Sequence, residues 1–155
     1  MLVPFTREFL DCSWNWLRDE ETRYLTMTPE FTREDQGRFF DSLGERPDYR
    51  IWGVILQGAG PIGAAGLKNI GDENAEYWGY IGEKAWWGRG FGAQMVNAVE
   101  GEARKLGLKQ LYLTVGRENV RAVRLYRRLG YRESNTSSSR LIMEKTLDEV
   151  SVEPA

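Results

Sequence analysis

Three glycines and an arginine crowd the junction Trp86-Trp87-Gly88-Arg89-Gly90-Phe91-Gly92-Ala93, between a strand-like run and a helix-like run. Glycine adopts left-handed backbone without strain and lets the main chain come close to a ligand. The first N–H groups of a helix have no partner inside it. Together they make a seat for an anion, a phosphate above all. What kind of phosphate ligand is bound there depends on the elements that flank the junction.

With 155 residues the chain fits one domain, taken as 1–147, with 148–155 as a flexible tail. Acidic residues (23) nearly balance basic ones (21), for a net charge of −2. That balance argues against a nucleic-acid partner, which needs a basic excess or a dense basic face. Cys12 is the single cysteine and histidine is absent, so an intrachain disulfide, a His-based triad and a His-containing zinc site are excluded, and no metal is expected. No apolar run approaches the roughly 20 residues of a membrane span, and the N-terminus lacks a signal-peptide pattern. The expectation is a cytoplasmic protein without a membrane partner, as monomer or homodimer.

Met1 to Pro4 reads as a short edge strand, and after Thr6 the residues Phe9, Leu10, Trp14 and Leu17 recur near helical spacing. A second helix starts after Phe31-Thr32, where Thr32 can cap it and Asp35 stands three residues on, close to a capping box. Phe39, Phe40 and Leu43 are its expected buried face and Gly44 its stop. Ile51–Leu56, Ile62–Ile70 and Ala75–Gly82 then read as three strands joined by short turns, an antiparallel meander. A helix follows from about Gly90 to Leu106, with Gly92, Val96, Val99, Ala103 and Leu106 on its apolar face. Leu111–Val115 is a strand, Asn119 opens another helix, Ser134–Ser139 is a loop, and Ser139–Thr146 is the last strand. Leu147 begins the frayed tail. The order is α+β, a meander followed by β-α-β-α-β.

Gly88-x-Gly90-x-x-Ala93 satisfies the dinucleotide pattern literally, but that site needs a doubly wound parallel sheet and an acidic residue about 20 positions on. Here an antiparallel meander precedes the glycines and too few strands follow. A phosphate-binding P-loop is excluded because no Gly-Lys-Ser/Thr follows. A second motif decides the matter. Asn119-x-x-Ala122-x-x-Leu125-Tyr126-x-x-Leu129-Gly130-Tyr131, together with Trp87-Gly88-Arg89-Gly90-Phe91-Gly92, resembles the GNAT N-acetyltransferases over about Ile51 to Thr146. It is similar to the branch with ribosomal-protein N-terminal and amino-sugar acetyltransferases. Trp87 stands where the family usually has Arg or Gln, and Tyr131 where it usually has Phe.

The resemblance implies a GNAT-like fold, a mixed central sheet with helices on both faces, and acetyl-CoA as acyl donor. It places the pyrophosphate on Trp87, Gly88, Arg89, Gly90, Phe91, Gly92 and Ala93, and the pantetheine arm along Tyr80 to Gly82, with a further contact from Asn119. Asn119 has an equally good reading as a plain helix cap. An oxyanion donor is expected from the backbone near Ile81 or Gly82. Tyr126 becomes the acid that protonates the leaving thiolate, since a phenol with a pKa near 10 can supply that proton. The amine needs a base, and Glu76 is the candidate, on one strand face with Trp78 and Tyr80, with Glu83 as runner-up. Tyr77, Trp78 and Tyr80 are expected to line the acceptor pocket. The arginines at 121, 124, 127 and 128 read first as a solvated helix side and second as a contact for phosphate.

The implied reaction is direct attack of a primary amine on the thioester in a ternary complex. The segments Trp16–Glu21 and Phe31–Gln36 are similar to amino-sugar N-acetyltransferases of surface-glycan pathways. A small-molecule amine, nucleotide-linked amino sugars included, is therefore the first acceptor class and a protein N-terminal amine the second. A non-catalytic acyl-CoA sensor is the alternative from another class, and the presence of Tyr126 weighs against it.

Overall fold

The computed structural model describes residues 1–136 and 139–148. The sheet is built from β1 (Leu2–Pro4), β2 (Arg50–Leu56), β3 (Gly60–Lys68), β4 (Asn74–Ile81), β5 (Gln110–Gly116), β6 (Arg132–Thr136) and β7 (Arg140–Thr146), and the helices are α1 (Arg7–Leu17), α2 (Glu20–Thr26), α3 (Arg33–Ser42), α4 (Phe91–Lys105) and α5 (Val120–Arg128). The strands form one sheet in the order β1-β2-β3-β4-β5-β7-β6. β1 to β4 are antiparallel neighbours, and β5, β7 and β6 likewise. The two groups meet through β4 and β5, which run parallel and pair over only Asn74↔Gln110, Ala75↔Leu111 and Glu76↔Tyr112. This is the expected mixed α+β architecture. No helix among the described residues is long and apolar enough to cross a membrane.

Helices cover both faces. β3 is central, and six consecutive residues from Ile62 to Leu67 are buried, mostly glycine and alanine, because both of its faces are crowded. On one face Phe9 of α1 lies on Gly53, where any Cβ would collide with its ring. On the other, Val96, Val99 and Ala103 of α4 join Tyr77, Leu111, Leu113 and Met143 in the core. Glu100 of α4 is buried with them. It accepts from the Tyr131 hydroxyl at 2.8 Å and pairs with Lys145 at 2.9 Å, which ties α4 to β7 through a satisfied buried charge.

Several expectations need correction. α2 was not foreseen: Asp19 caps it through the Thr22 N–H, with Met27 in left-handed backbone at its end, in a segment without helical apolar spacing. The capping box of Thr32 and Asp35 does start α3, but Gln36, not Phe39 or Phe40, is its buried residue. Trp16, not Trp14, enters the core from α1, and Leu106 is exposed. Of the expected 134–139 loop, residues 134–136 belong to β6, and 137–138 lie outside the described residues. β6 is an edge strand, and its polar sequence Arg-Glu-Ser-Asn-Thr carries no alternation to reveal it. Leu147 does not fray: its N–H donates to the Lys109 carbonyl at 2.7 Å and its side chain is buried. Residues 149–155, the rest of the expected tail, lie outside the described residues. If Leu147 closes the core in this way, Leu147→Ala should cost about 2–4 kcal/mol in urea unfolding, whereas a tail residue would cost nothing.

Candidate active site

β4 is the wall on which the site is built. The Gly82 N–H donates to the Ile62 carbonyl at 2.7 Å, which sets the parity of the β3–β4 ladder. In an antiparallel pair the backbone groups of alternate residues turn to the same neighbour. Glu76, Trp78 and Tyr80 therefore direct their N–H and C=O groups to β3, and Gly79 and Ile81 direct theirs toward β5. Beyond Glu76↔Tyr112 no ladder joins β4 to β5, so those groups meet an open slot. The Trp87 indole N–H occupies the Ile81 carbonyl at 2.6 Å. Gly82 must be dropped as an oxyanion donor, because Ile62 holds its N–H. The N–H groups of Gly79 and Ile81 are the ones that face the slot.

At the far end of β4, Gly88 and Gly90 sit at φ +71° and +88°. Gly90 is the N-cap of α4 and has no side-chain cap, so the first helical N–H groups are left for another partner. Gly92 has a different duty: a Cβ there would lie 3.2 Å from Leu125, so the glycine lets α5 approach α4. Arg89 does not line the cleft. Its guanidinium stacks on Trp86 at 4.4 Å, and the Phe91 ring packs edge-on against the same indole at 5.7 Å. The cationic groups beside the glycines come instead from α5, where Arg121 lies against Gly88 and Arg124 lines the same cleft.

Asn119 spends both ends of its side chain within the protein. Its Oδ1 accepts from the Ala122 N–H at 3.3 Å, and its Nδ2 donates to the Leu25 carbonyl at 3.3 Å. The capping reading thus accounts for it, and what a ligand could still use is the second Nδ2 hydrogen or the remaining lone pair of Oδ1.

The slot opens into a cleft of about 1050 Å³ that passes through the sheet, from the α4–α5 face to the α1–α3 face. Tyr126 projects from α5 on the first face, its ring packed edge-on against Tyr77 at 6.2 Å and against Tyr131 at 5.9 Å. Its hydroxyl makes no hydrogen bond to the described residues, and burial pushes its pKa up to about 12. Glu76 lies at the closed end of the slot on the second face, paired with Lys68 at 3.5 Å and accepting from Asn69 Nδ2 at 3.3 Å. Glu83 is not in the cleft; it accepts the Trp16 indole N–H at 2.7 Å.

A model of the acetyltransferase (GNAT) family matches residues 11–131. The chain belongs to that family. It is accordingly an acetyl-CoA-dependent N-acetyltransferase by class. Solved structures share its fold at low identity. A domain from Methanocaldococcus jannaschii is 19% identical with a TM-score of 0.85, over 95% of this chain and 97% of that one. Spermidine N-acetyltransferase from Vibrio cholerae, solved with CoA and spermine, is 20% identical with a TM-score of 0.85, over 95% of both. The N-acetyltransferase PseH from Campylobacter jejuni, solved with acetyl coenzyme A, is 16% identical with a TM-score of 0.73, over 96% and 99%. No curated protein matches in sequence.

In this GNAT acetyltransferase the α1–α3 face of the cleft is aromatic. Tyr80 packs edge-on to Trp16 at 6.1 Å, Trp78 lies by Tyr49 at 6.2 Å, and Tyr49 packs edge-on to Phe39 at 5.7 Å. Tyr77 is not part of this wall. Strand alternation puts it on the opposite face, buried beside Tyr126 and Met95. Among polar residues on the α1–α3 side, Gln36 escaped the sequence reading. Its Nε2 donates to the Leu10 carbonyl at 3.1 Å and Ser13 Oγ at 2.8 Å, which leaves Oε1 buried and unpaired. Gly79 was also missed, although a glycine inside a strand pattern signals close backbone approach.

If α5 rather than Arg89 provides the phosphate-side charge, Arg121→Ala combined with Arg124→Ala should weaken CoA binding about tenfold in calorimetric titration. Arg89→Ala should change it less than twofold.

Proposed function

We propose that the protein transfers the acetyl group of acetyl-CoA to the primary amine of a small polyhydroxylated acceptor of the amino-sugar class. The observation that carries this reading is the charge state of the acceptor side. Among the described residues lining the cleft the carboxylates are Asp35 and Glu76, and both are already engaged. The Asp35 carboxylate accepts from the Thr32 backbone N–H and from Arg38, and Glu76 pairs with Lys68. The cation on this side is Lys68, and it is the partner of Glu76. A polycation such as a polyamine needs unpaired carboxylates, and neither of these two is unpaired. A sugar ring instead can lay its apolar face on Trp78 or Tyr49 and offer hydroxyls to Ser13, Thr22 and Gln36.

In this reading the pantetheine arm lies in the slot, with its amides on the backbone groups of Gly79 and Ile81. The acceptor nitrogen attacks the thioester carbon from the Trp78 face. A slot-facing N–H of Gly79 or Ile81 donates to no carbonyl of β3 and is available to donate to the oxyanion. The amine proton passes to Glu76 through water. Collapse breaks the carbon–sulfur bond, and the thiolate receives its proton from the Tyr126 hydroxyl on the other face. Because Tyr126 stays protonated up to about 12, turnover should rise with pH as the acceptor amine deprotonates, with no fall from Tyr126 below that value.

The decisive assay is thiol release from acetyl-CoA against amino sugars (free and nucleotide-linked), polyamines and N-terminal peptides. Amino sugars should give the highest kcat/KM; a polyamine or peptide preference would overturn the acceptor class. Silence across the panel with thermal stabilisation by CoA would point to a sensor. In the same assay Tyr126→Phe should lower kcat more than tenfold while leaving acetyl-CoA affinity nearly unchanged.

A further inference from the structure

Among the described residues, the buried side-chain polar atoms without a hydrogen-bond partner are Gln36 Oε1, Trp78 Nε1 and Tyr77 Oη. All three residues line the cleft. Buried polar groups are nearly always paired, because an unpaired one keeps its full desolvation cost. The concentration of such atoms at one cleft marks them as groups whose partner arrives with a ligand. Tyr77 is the sharpest case, being 2% exposed and facing the donor side of the sheet.

We propose that the Tyr77 hydroxyl is a ligand for the pantetheine arm of acetyl-CoA, donating a hydrogen bond to one of its amide carbonyls as the arm lies along β4. This inference rests on acetyl-CoA being the donor. Its geometry comes from Gly79. The Tyr77 hydroxyl lies directly over that residue, so closely that a Cβ on Gly79 would collide with Oη and would stand 3.1 Å from Met95 Cε. Gly79 is also the residue whose N–H and C=O both turn into the slot. The phenol therefore stands beside the strip of backbone that an amide-bearing arm would follow. The Tyr126 ring closes the other side at 6.2 Å.

A purely structural role does not explain the hydroxyl. Phenylalanine would fill the same space and make the same edge-on contact without burying an unpaired oxygen. Burial also pushes the Tyr77 ionisation well above the ordinary tyrosine value, so the group remains a donor wherever the enzyme is folded. The hydroxyl is thus a fixed donor awaiting an acceptor, and the pantetheine carbonyls are acceptors that must leave water to enter the slot.

Tyr77→Phe tests this by calorimetric titration of two ligands. CoA carries the arm; adenosine 3′,5′-bisphosphate carries the nucleotide end alone. The variant should bind CoA about three- to tenfold more weakly, raise the KM for acetyl-CoA, and bind adenosine 3′,5′-bisphosphate as the wild type does. Its ligand-free melting temperature should hold or rise, since the lost hydroxyl had no partner in that state. Unchanged CoA affinity overturns the proposal, and so does equal weakening of both ligands. A marked fall in the ligand-free melting temperature, or failure to fold, overturns it as well, because the hydroxyl would then be serving the fold. Wild-type affinity for CoA checks the donor reading separately, and its absence removes that reading and this inference together.

Discussion

The site depends on a ladder that stops early. β4 keeps its partnership with β3 through six pairs and β5 keeps its own with β7 through seven, while β4 and β5 share three. The sheet is therefore two antiparallel units hinged at Glu76 and Tyr112. Past the hinge each strand follows its antiparallel partner, and the backbone groups of Gly79 and Ile81 are left without strand partners inside the protein. Unpaired buried backbone groups are costly in a folded chain. In the proposed complex the amides of the pantetheine arm pair with the Gly79 groups and the Ile81 N–H, much as an added strand would, while the Ile81 carbonyl already accepts from the Trp87 indole.

A gap through the middle of the sheet also separates two chemistries. Tyr126 reaches the slot from the α4–α5 face and Glu76 from the α1–α3 face. In the mechanism proposed above, a thioester held in the gap has its sulfur available to one face and its carbonyl carbon to the other. Acid and base then need not share a pocket, where proximity would favour direct proton exchange between them. The surroundings suit the division. Tyr126 sits among apolar and phenolic rings that hold it neutral, and Glu76 sits by Lys68 and Asn69 at the polar end.

Trp87 gives a physical account of a departure from the family pattern. At that position a long polar side chain would reach toward phosphate. The indole turns back instead, occupying the Ile81 carbonyl, with the Lys84 ammonium over its ring at 5.5 Å. Lys84 in turn pairs with Asp19 and Glu21 at the start of α2, and its hydrogen bond is the main cause that holds Asp19 down at about 2. The loop before α4 is thereby pinned to β4 and to α2, and the positive charge near the glycines is taken over by Arg121 and Arg124 on the next helix.

Local physics in the sequence sufficed for the elements whose reasons are local. The Thr32–Asp35 box, the left-handed glycines at 88 and 90, the Asn119 cap and the apolar period of α4 each act within a few residues of chain, and each stands where its residues place it. β6 was hidden because its sequence is polar throughout, with Arg132, Glu133 and Ser134 exposed and no apolar alternation to read, and α2 because Asp19 and Met27 bound it without an apolar stripe. The face that each site residue serves was decided only by the tertiary structure. Arg89 and Arg121 look alike in sequence, yet one is held by Trp86 and the other is carried to the cleft by a separate helix. Tyr77 and Trp78 are adjacent, but the pleat sends one to each side of the sheet. Spacing along the chain pointed to an anion seat at these glycines, and the resemblance of its two motifs to the GNAT family pointed to an acyl-CoA as the occupant. Which side chains meet it, and from which face, depends on the early end of the β4–β5 ladder, a property of two strands far apart in sequence that no local pattern encodes.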